Sequence, residues 1–582
     1  MVLFPWADAK LALGDLRPLE SFIGMLCYGA RLAKHCLHPQ AALSSAALCR
    51  SQPEMPTPTD YRIIYNWDGA PHGYSPTPQS VESFLDKVYA PLKDTQVDAL
   101  FWSTGGQGSR WPSDLLDFIG EAEGRTYQSV GAYTASENIR QMYDQGLDPQ
   151  AALIEAGHDL GLHVYASVRM NDNHFGGAQI SDLAALHKAH RVETIRRDHP
   201  EWLLGNRTSE WFALSWNMAV PEIRQRRFQH VEEVCRRYDW DGIELDWQRH
   251  AFHFPEDDAY RLRYLLTDLQ RAIRQMTQAL GRKRGRPVYL AARVAGSLEM
   301  CRRIGYDIPT WIEEGLVDVL IPAGNAVTDA SIDVADFVQL CEGTGVAVYP
   351  GFDSNLPDPF VGPEEAIEKD QLRTRAIASR YHRAGASGIY AFNWHADADS
   401  KRDLLTTIGS PQTLASTDKI YAATHRYVQR EGAWRGAFRI DRIYGEVPVD
   451  LLPTLSGTGP TITLDVADDF GAHKPASLQL RLRLNESLPE DVVRVCWDGD
   501  LLGQGHRIAC RLENPTPPGG AFQPQPRWRE ISDVSSAAWL TWDLTESGVT
   551  CGKHTVHVAL QKRHPQITTA LVLTDVELVV RY

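Results

Sequence analysis

The sequence has no long apolar run and no excess of positive charge. Nowhere in its 582 residues does an apolar stretch approach the roughly 20 residues that a membrane-spanning helix needs. The formal net charge is −15, and no basic cluster of the kind that binds nucleic acid stands out. We therefore predict neither a membrane span nor a nucleic-acid partner.

The sequence also has no cysteine framework. Its nine cysteines are scattered, with no CxxC pair and no spacing typical of a metal site. At the N-terminus, MVLFPWADAKLALGDLRPLE carries Asp8, Lys10 and Asp15 where a secretion signal would be apolar. These features indicate a cytoplasmic or periplasmic protein without a convincing signal peptide. We predict no cofactor and no bound metal.

The composition is that of a folded protein with more than one domain. Apolar residues make up 43% and charged residues 23% of the chain. A chain of 582 residues is too long to form a single domain with one hydrophobic core. The 16 tryptophans and 21 tyrosines favour a carbohydrate ligand, since aromatic rings stack on sugar faces. We predict a poorly integrated extension (1–55), a catalytic domain (56–412) and an accessory domain (413–582).

From residue 61 onward, short β-prone apolar runs alternate with amphipathic helical patterns. This alternation predicts an α/β fold, a (β/α)8 TIM barrel rather than an open sheet. Beyond about residue 415 the apolar pattern has a period of two, and turn residues separate the runs, which predicts a C-terminal antiparallel β-sandwich. The eight predicted barrel strands are 61–67, 97–103, 162–171, 241–247, 287–296, 317–324, 345–354 and 387–397.

Polar and aromatic side chains follow most of these predicted strands. Because active sites of such barrels form at the carboxyl ends of the strands, we expect these side chains to line one site. Tryptophans there would stack on a sugar, and the polar groups would hydrogen-bond its hydroxyls. The predicted substrate-binding residues are Trp67, Trp102, Arg169, Asn171, His174, Gln248, Arg249, His250, Arg293, Asn325, Asn393, Trp394 and His395.

The stretch YDWDGIELDWQRH (238–250) places two acids on one face of a strand. Cleavage of a glycosidic bond needs a proton donor and a second carboxylate, and crowding of two acids separates their pKa values. We predict that Asp246 is one catalytic carboxylate and that Asp353 or Glu299 is its partner. Glu244 is either the second member of the pair, a residue that orients Asp246, or part of a buried ion pair with Arg293.

Two stretches, AGHDLGLHVYASVRMN and the segment from HPEWLLGN to YDWDGIELDWQRHAFHFP, resemble the bacterial glycosyl-hydrolase-like 10 family. The resemblance implies a barrel that hydrolyses an oligo- or polysaccharide. The fourth strand is also similar to the Asp-Gly-x-Asp-x-Asp-x-Glu signature of family 18 chitinases, and Trp394 resembles the tryptophan under their sugar site. Gln248 occupies the position of their catalytic acid. Glutamine cannot act as that acid, so the chitinase mechanism does not carry over.

Two other functions remain open on the sequence. The first is a barrel that binds carbohydrate without turnover, because of Gln248. The second is a metal-dependent hydrolase or lyase that uses Asp246, His174, His250 and His253. Our principal prediction is a glycoside hydrolase in which Asp246→Asn abolishes turnover and leaves the fold intact.

Overall fold

The computed structural model describes residues 57–582 except for 68–79, 106–107, 123, 128, 175–177, 190–191, 209–211, 325–327, 329, 354–362, 425–445, 455–456 and 511–536. The predicted N-terminal extension lies outside the described residues. The first part of the described chain is one parallel sheet. Its strands are β1 (Ile63–Trp67), β2 (Val97–Ser103), β3 (His163–Arg169), β4 (Gly242–Asp246), β5 (Tyr289–Ala295), β6 (Val319–Ala323), β7 (Ala347–Val348), β8 (Gly351–Asp353) and β9 (Ile389–Phe392).

The sheet closes on itself through a seventh strand that is split in two. β7 pairs with β6 and β8 pairs with β9, while β9 also pairs with β1. The break between β7 and β8 falls at Pro350, which has no N–H to donate. On either side of it, the Tyr349 N–H donates to Leu320 O (2.9 Å) and the Tyr390 N–H donates to Pro350 O (3.1 Å). The predicted TIM barrel is therefore confirmed.

Helices surround the barrel and bury an apolar stripe against it. Several begin at a residue that satisfies free backbone N–H groups, such as Ser80 and Asp148, whose side chains accept from the first helical turn. The helices are α1 (Val81–Tyr89), α2 (Val130–Asp144), α3 (Pro149–Asp159), α4 (Leu183–Ala189), α5 (Thr194–Asp198), α6 (Pro221–Arg237), α7 (Ala259–Arg284), α8 (Leu298–Ile304), α9 (Ile308–Glu313), α10 (Val334–Cys341), α11 (Pro363–Arg383), α12 (Asp399–Leu405) and α13 (Pro411–Leu414).

The interior of the barrel is filled by aromatic rings in its lower part. Phe101 stacks on Tyr165 with ring centroids 4.3 Å apart, and Tyr61 and Tyr349 pack in the same cluster. Gly242 makes room for this packing, because a Cβ there would lie 2.2 Å from Cε1 of Tyr165. His163 lies among these rings at the amino end of β3, and the acidic side chains follow toward the carboxyl ends of the strands.

The C-terminal part forms two antiparallel sheets, which confirms the second half of the predicted fold class. One has the order β10-β19-β13-β17-β16, with β11 beside β19, and the other has the order β12-β18-β14-β15. Their inward residues form a separate apolar core. The strands are β10 (Lys419–Ala422), β11 (Val449–Leu451), β12 (Thr461–Val466), β13 (Ser477–Asn485), β14 (Val492–Trp497), β15 (Asp500–Leu501), β16 (His506–Cys510), β17 (Ala537–Asp543), β18 (Gly552–Lys562) and β19 (Leu571–Arg581).

Helix α11 joins the barrel to the C-terminal sheets. Leu372 packs with Ile420 and Val579, so the helix buries an apolar face against β10 and β19. Arg373 of the same helix pairs with Glu577 at 2.5 Å and with Asp575 at 3.2 Å. The predicted domain limits near residue 412 stay a prediction. No helix within the described residues is both long and apolar enough to span a bilayer.

Candidate active site

Glu244 lies on the inward face of β4, where the aromatic filling of the barrel ends. Its side chain is fully buried. One carboxyl oxygen accepts a hydrogen bond from the Tyr390 hydroxyl (2.6 Å), and the other accepts from Asn66 Nδ2 (2.9 Å). Three strands, β1, β4 and β9, therefore hold this carboxyl group in one orientation.

The surroundings of Glu244 favour its protonated form. Burial, followed by the negative charge of Asp246, raises the pKa of Glu244 to about 7, against the hydrogen bonds from Ser167 and Tyr390 and the charge of Arg293. A carboxyl group with such a pKa gains and loses a proton near neutral pH. It thus has the property that a general acid or base requires.

Asp246 lies two residues further along β4 and is held by an ion pair. Arg293 Nη1 contacts its two oxygens at 3.0 and 3.3 Å, and both side chains are fully buried. The backbone N–H groups of Gln248 and Arg249 also donate to Asp246 Oδ1. The ion pair predicted for Glu244 is thus formed by Asp246, and the same carboxylate anchors the turn after β4.

A second cluster follows β3 and β4 at the mouth of the barrel. Asp172 contacts Nδ1 of His174 at 2.6 Å, Nδ1 of His250 at 3.3 Å and Nη1 of Arg169 at 3.3 Å. Although burial alone would raise it, the charges of His174 and Arg169 hold the pKa of Asp172 well below its usual range. Burial lowers the pKa of both histidines.

The ligand set of the metal-dependent alternative is not brought together as the sequence suggested. His253 is buried against the carbonyl of Trp247 and the hydroxyl of Tyr306. Asp172, His174 and His250 do offer three ligand atoms within 4.8 Å of one another. However, His250 Nδ1 already accepts from the Asn173 N–H (3.0 Å), and the neighbouring arginines oppose a cation.

Of the predicted aromatic residues, Trp67 is the one that the structure leaves partly exposed at a strand end. Trp102 packs on Phe84 of α1 with ring centroids 5.7 Å apart. Trp394 donates from Nε1 to Lys401 O and also lies in the outer core. Strand alternation turns Trp102 toward the helices, and Trp394, which lies beyond the end of β9 and after the positive φ of Asn393, also packs in the outer core. The predicted stacking by Trp102 and Trp394 therefore gains no support from the geometry.

The remaining predicted residues occupy different settings. Asn171 is committed to backbone groups, donating to Trp216 O and Phe252 O. Gln248 is buried, whereas Asn393 is half-buried and His395 is exposed. Asn325 lies outside the described residues. Asp353 ends β8, and its side chain is likewise outside the described part of the chain.

Glu299 is placed on the first turn of α8, beyond the end of β5. Its side chain is 53% exposed, and its carboxylate lies 3.9 Å from Arg303 one turn later. A carboxylate with this much contact with water lacks the burial that distinguishes Glu244 and Asp246.

Three residues at the mouth of the barrel have an unusual backbone conformation. His250, Asn393 and His395 all have positive φ angles, between 50° and 62°, although none is glycine. Such conformations cost on the order of 1 kcal/mol each and often occur where side chains are positioned for function. Their position after β4 and β9 marks the same end of the barrel as the acids.

Sequence reasoning did not assign Tyr390, Asn66 or Ser167 to the acidic site. Tyr390 was part of a predicted strand and carried no polar signal, yet its hydroxyl donates directly to Glu244. The signal available was strand alternation, since Tyr390 lies two residues before Phe392 and shares its inward face. Asn66 and Ser167 could have been found in the same way.

The fold and the site together define a TIM barrel with buried acids at the carboxyl ends of its strands. Residues 122–273, which contain β3 and β4, match the family model described as glycosyl hydrolase-like 10. The predicted resemblance to this family is therefore confirmed. A curated relative, the glycosyl hydrolase YngK of Bacillus subtilis (strain 168), is 32% identical over 108 residues. That match spans 18% of this chain and 18% of the relative.

Solved structures of carbohydrate-active enzymes are also similar at low identity. A glycoside hydrolase family 18 N-acetylglucosaminidase from Paenibacillus barengoltzii is 13% identical, with a TM-score of 0.32 over 60% of this chain and 99% of that one. A cycloisomaltooligosaccharide glucanotransferase from Paenibacillus sp. is also 13% identical, with a TM-score of 0.33 over 89% of this chain and 57% of the other. Any statement about function must therefore come from the site itself.

Proposed function

We propose that this protein is a glycoside hydrolase and that Glu244 and Asp246 supply its acid and base chemistry. The observation that carries the proposal is the placement of two buried carboxyl groups, Glu244 and Asp246, on one face of β4, where burial and the charge of Asp246 raise the pKa of Glu244 to about 7. Glycoside hydrolysis needs one carboxyl group that donates a proton and another that acts as nucleophile or base. The match to a glycosyl hydrolase-like family over the same strand supports this chemistry.

The two carboxyl groups are suited to different roles. Glu244 receives hydrogen bonds from Tyr390 and Asn66, which hold its oxygens in place while the proton is exchanged. Asp246 lies against the guanidinium of Arg293, which stabilises its negative charge. In this proposal Glu244 protonates the leaving oxygen, and Asp246 is the ionised carboxylate that acts as nucleophile or base. Asp353, at the end of β8, is the alternative partner.

The proposal is tested by measuring reducing ends released from a panel of oligo- and polysaccharides. We expect Glu244→Gln to lose about 100-fold or more of the activity, because glutamine keeps the shape and loses the proton. Wild-type activity should fall as the pH rises through about 7, where Glu244 loses its proton. Glu232→Gln, at a half-buried surface residue of α6 paired with the exposed Arg236, is the matched control and should behave as wild type.

Other results would change the catalytic roles assigned to Glu244 and Asp246. Full activity in Glu244→Gln would overturn the assignment of the acid. Loss in Asp353→Asn together with normal activity in Asp246→Asn would move the second role to Asp353. If the wild-type protein binds a glycan of the panel without releasing reducing ends, the alternative of a sugar-binding barrel, which Gln248 motivates, replaces the hydrolase.

A further inference from the structure

Arg249 lies at the mouth of the barrel and contacts residues of β4 and β9 and the loop after β3. Its backbone N–H donates to Asp246 after β4, and its guanidinium lies 5.7 Å from the ring centroid of Phe392, the last residue of β9. Its Nη2 contacts Nε2 of His174, which follows β3, at 3.4 Å. The side chain is half-buried, so its guanidinium is at the mouth rather than on the outer surface.

The arginines at this mouth differ in how their charge is balanced. Arg293 has Asp246 as a partner and Arg169 has Asp172. Among the side chains that the structure describes, no carboxylate lies within ion-pair distance of Arg249, and its Nε is buried with no hydrogen-bond partner. Its polar contact is instead His174, whose pKa is lowered by burial.

A buried N–H of a guanidinium without an acceptor costs free energy. Repulsion between like charges adds to this cost. Beyond the effect of burial, the positive charge of Arg249 lowers the pKa of Arg169, His174 and His250. An anion that accepts from Nε and Nη of Arg249 would offset both costs. Carboxylate and sulfate groups fit the planar fork of a guanidinium well.

We propose that Arg249 binds an acidic substituent, a carboxylate or a sulfate, on the sugar that occupies the mouth of the barrel. This inference rests on the proposed function only in assuming that the ligand is a glycan. It names the substrate class, an acidic saccharide. The hydroxyls of a neutral sugar could accept hydrogen bonds from Arg249, but they would leave its positive charge without a counter-charge.

The test measures thermal unfolding of the full chain at constant ionic strength with D-glucuronate, inorganic sulfate or D-glucose. We expect a saturable rise in Tm with glucuronate or sulfate and none with glucose, since a ligand that binds the folded state raises its stability. Comparison of the two anions shows whether a carboxylate or a sulfate is preferred. Arg249→Gln should raise the dissociation constant of the anion about tenfold or more, and Arg249→Lys should raise it by a smaller factor.

Arg236→Gln, an exposed arginine of α6, is the matched control and should retain wild-type binding. The inference is overturned if neither anion gives a saturable shift, if glucose shifts Tm equally, or if Arg249→Gln binds as tightly as wild type. Because the readout involves no turnover, a protein that binds glucuronate through Arg249 but cleaves no glycan would refute the proposed function alone. Hydrolysis of neutral glycans without anion binding would refute this inference alone.

Discussion

At the scale of single residues, the carboxyl groups of β4 are removed from water, and this couples their protonation to folding. The folded-state pKa of Glu244, about 7, lies above its ordinary value of 4.5. The stabilisation from its protonated form is complete below the ordinary value and is lost as the pH rises through about 7. Glutamine at this position stays neutral at every pH.

We therefore expect Glu244→Gln to reduce the pH dependence of stability. Between about pH 5 and about pH 8, the loss in free energy of unfolding should be smaller than in wild type by on the order of 3 kcal/mol. Urea unfolding at the two pH values measures this difference. Equal losses in the two proteins would show that Glu244 is ionised in the folded state at neutral pH.

The pairing of Asp246 with Arg293 changes the expected outcome of Asp246→Asn. Both groups are fully buried, so the single variant leaves a buried guanidinium without its carboxylate. We expect it to lose about 3–5 kcal/mol of stability, and the double variant Asp246→Asn/Arg293→Met to recover most of that loss. Chemical denaturation measures both.

Activity separates the two roles of Asp246. If Asp246 takes part in chemistry, the recovered double variant is folded and still inactive. A folded and active double variant would leave Asp246 with a structural role only.

Single residues were predicted with unequal success, for a physical reason. The polar residues after β3 and β4 could be found because they interrupt apolar runs. The outward direction of Trp102 could not, since it depends on which residue begins the alternation in β2. The outward direction of Trp394 could not either, because the positive φ of Asn393 ends the alternation of β9. The contact of Tyr390 with Glu244 joins residues 146 positions apart, and nothing in the local sequence records it.

At the scale of elements, β4 depends on a residue with no side chain. The ring of Tyr165 fills the space beside Gly242, and a Cβ there would approach Cε1 to 2.2 Å. We expect Gly242→Ala to lose about 1–3 kcal/mol of stability, because the ring must move within a filled interior. Denaturant unfolding measures the loss.

Gly131→Ala in α2 is the matched control. A Cβ at this exposed residue of the first turn would have its nearest contact at 4.0 Å, so alanine should stabilise the protein by about 0.5–1 kcal/mol. A neutral effect of Gly242→Ala would mean that the barrel interior yields more easily than the contacts indicate.

The periodicity of the sequence was sufficient to predict the barrel strands. Each of the eight predicted runs contains a strand of the structure, because parallel strands buried on both faces are continuous apolar stretches. The interruption of the seventh run at Pro350 and the helical setting of Glu299 were not predicted. Both depend on where an element ends, which local pattern determines poorly.

At the scale of the whole molecule, the contact between barrel and C-terminal sheets contains buried charge. Although burial alone would raise it, the charges of Lys369, Arg481 and Arg373 lower the pKa of Glu577 to about 2. The stability that Glu577 contributes is present above its ordinary pKa of 4.5 and is lost as the pH falls toward about 2. Acid should therefore weaken this contact.

We expect Glu577→Gln to lose about 3–5 kcal/mol of stability at neutral pH, because it leaves buried cations without their carboxylate. Its stability should also fall less than that of wild type on acidification from about pH 5 to about pH 3. Equilibrium unfolding checks both. Glu368→Gln, which removes an exposed partner of Arg581, should change stability by less than about 1 kcal/mol.

The aromatic filling of the barrel limits how a ligand can reach the acids. The buried rings of Tyr61, Phe101, Tyr165 and Tyr349 fill the end of the barrel opposite the acids, and the described residues show no passage through it. Whatever reaches Glu244 must arrive and depart by the same opening. If the proposed function holds, a polysaccharide substrate would lie across this opening and would not pass through the barrel.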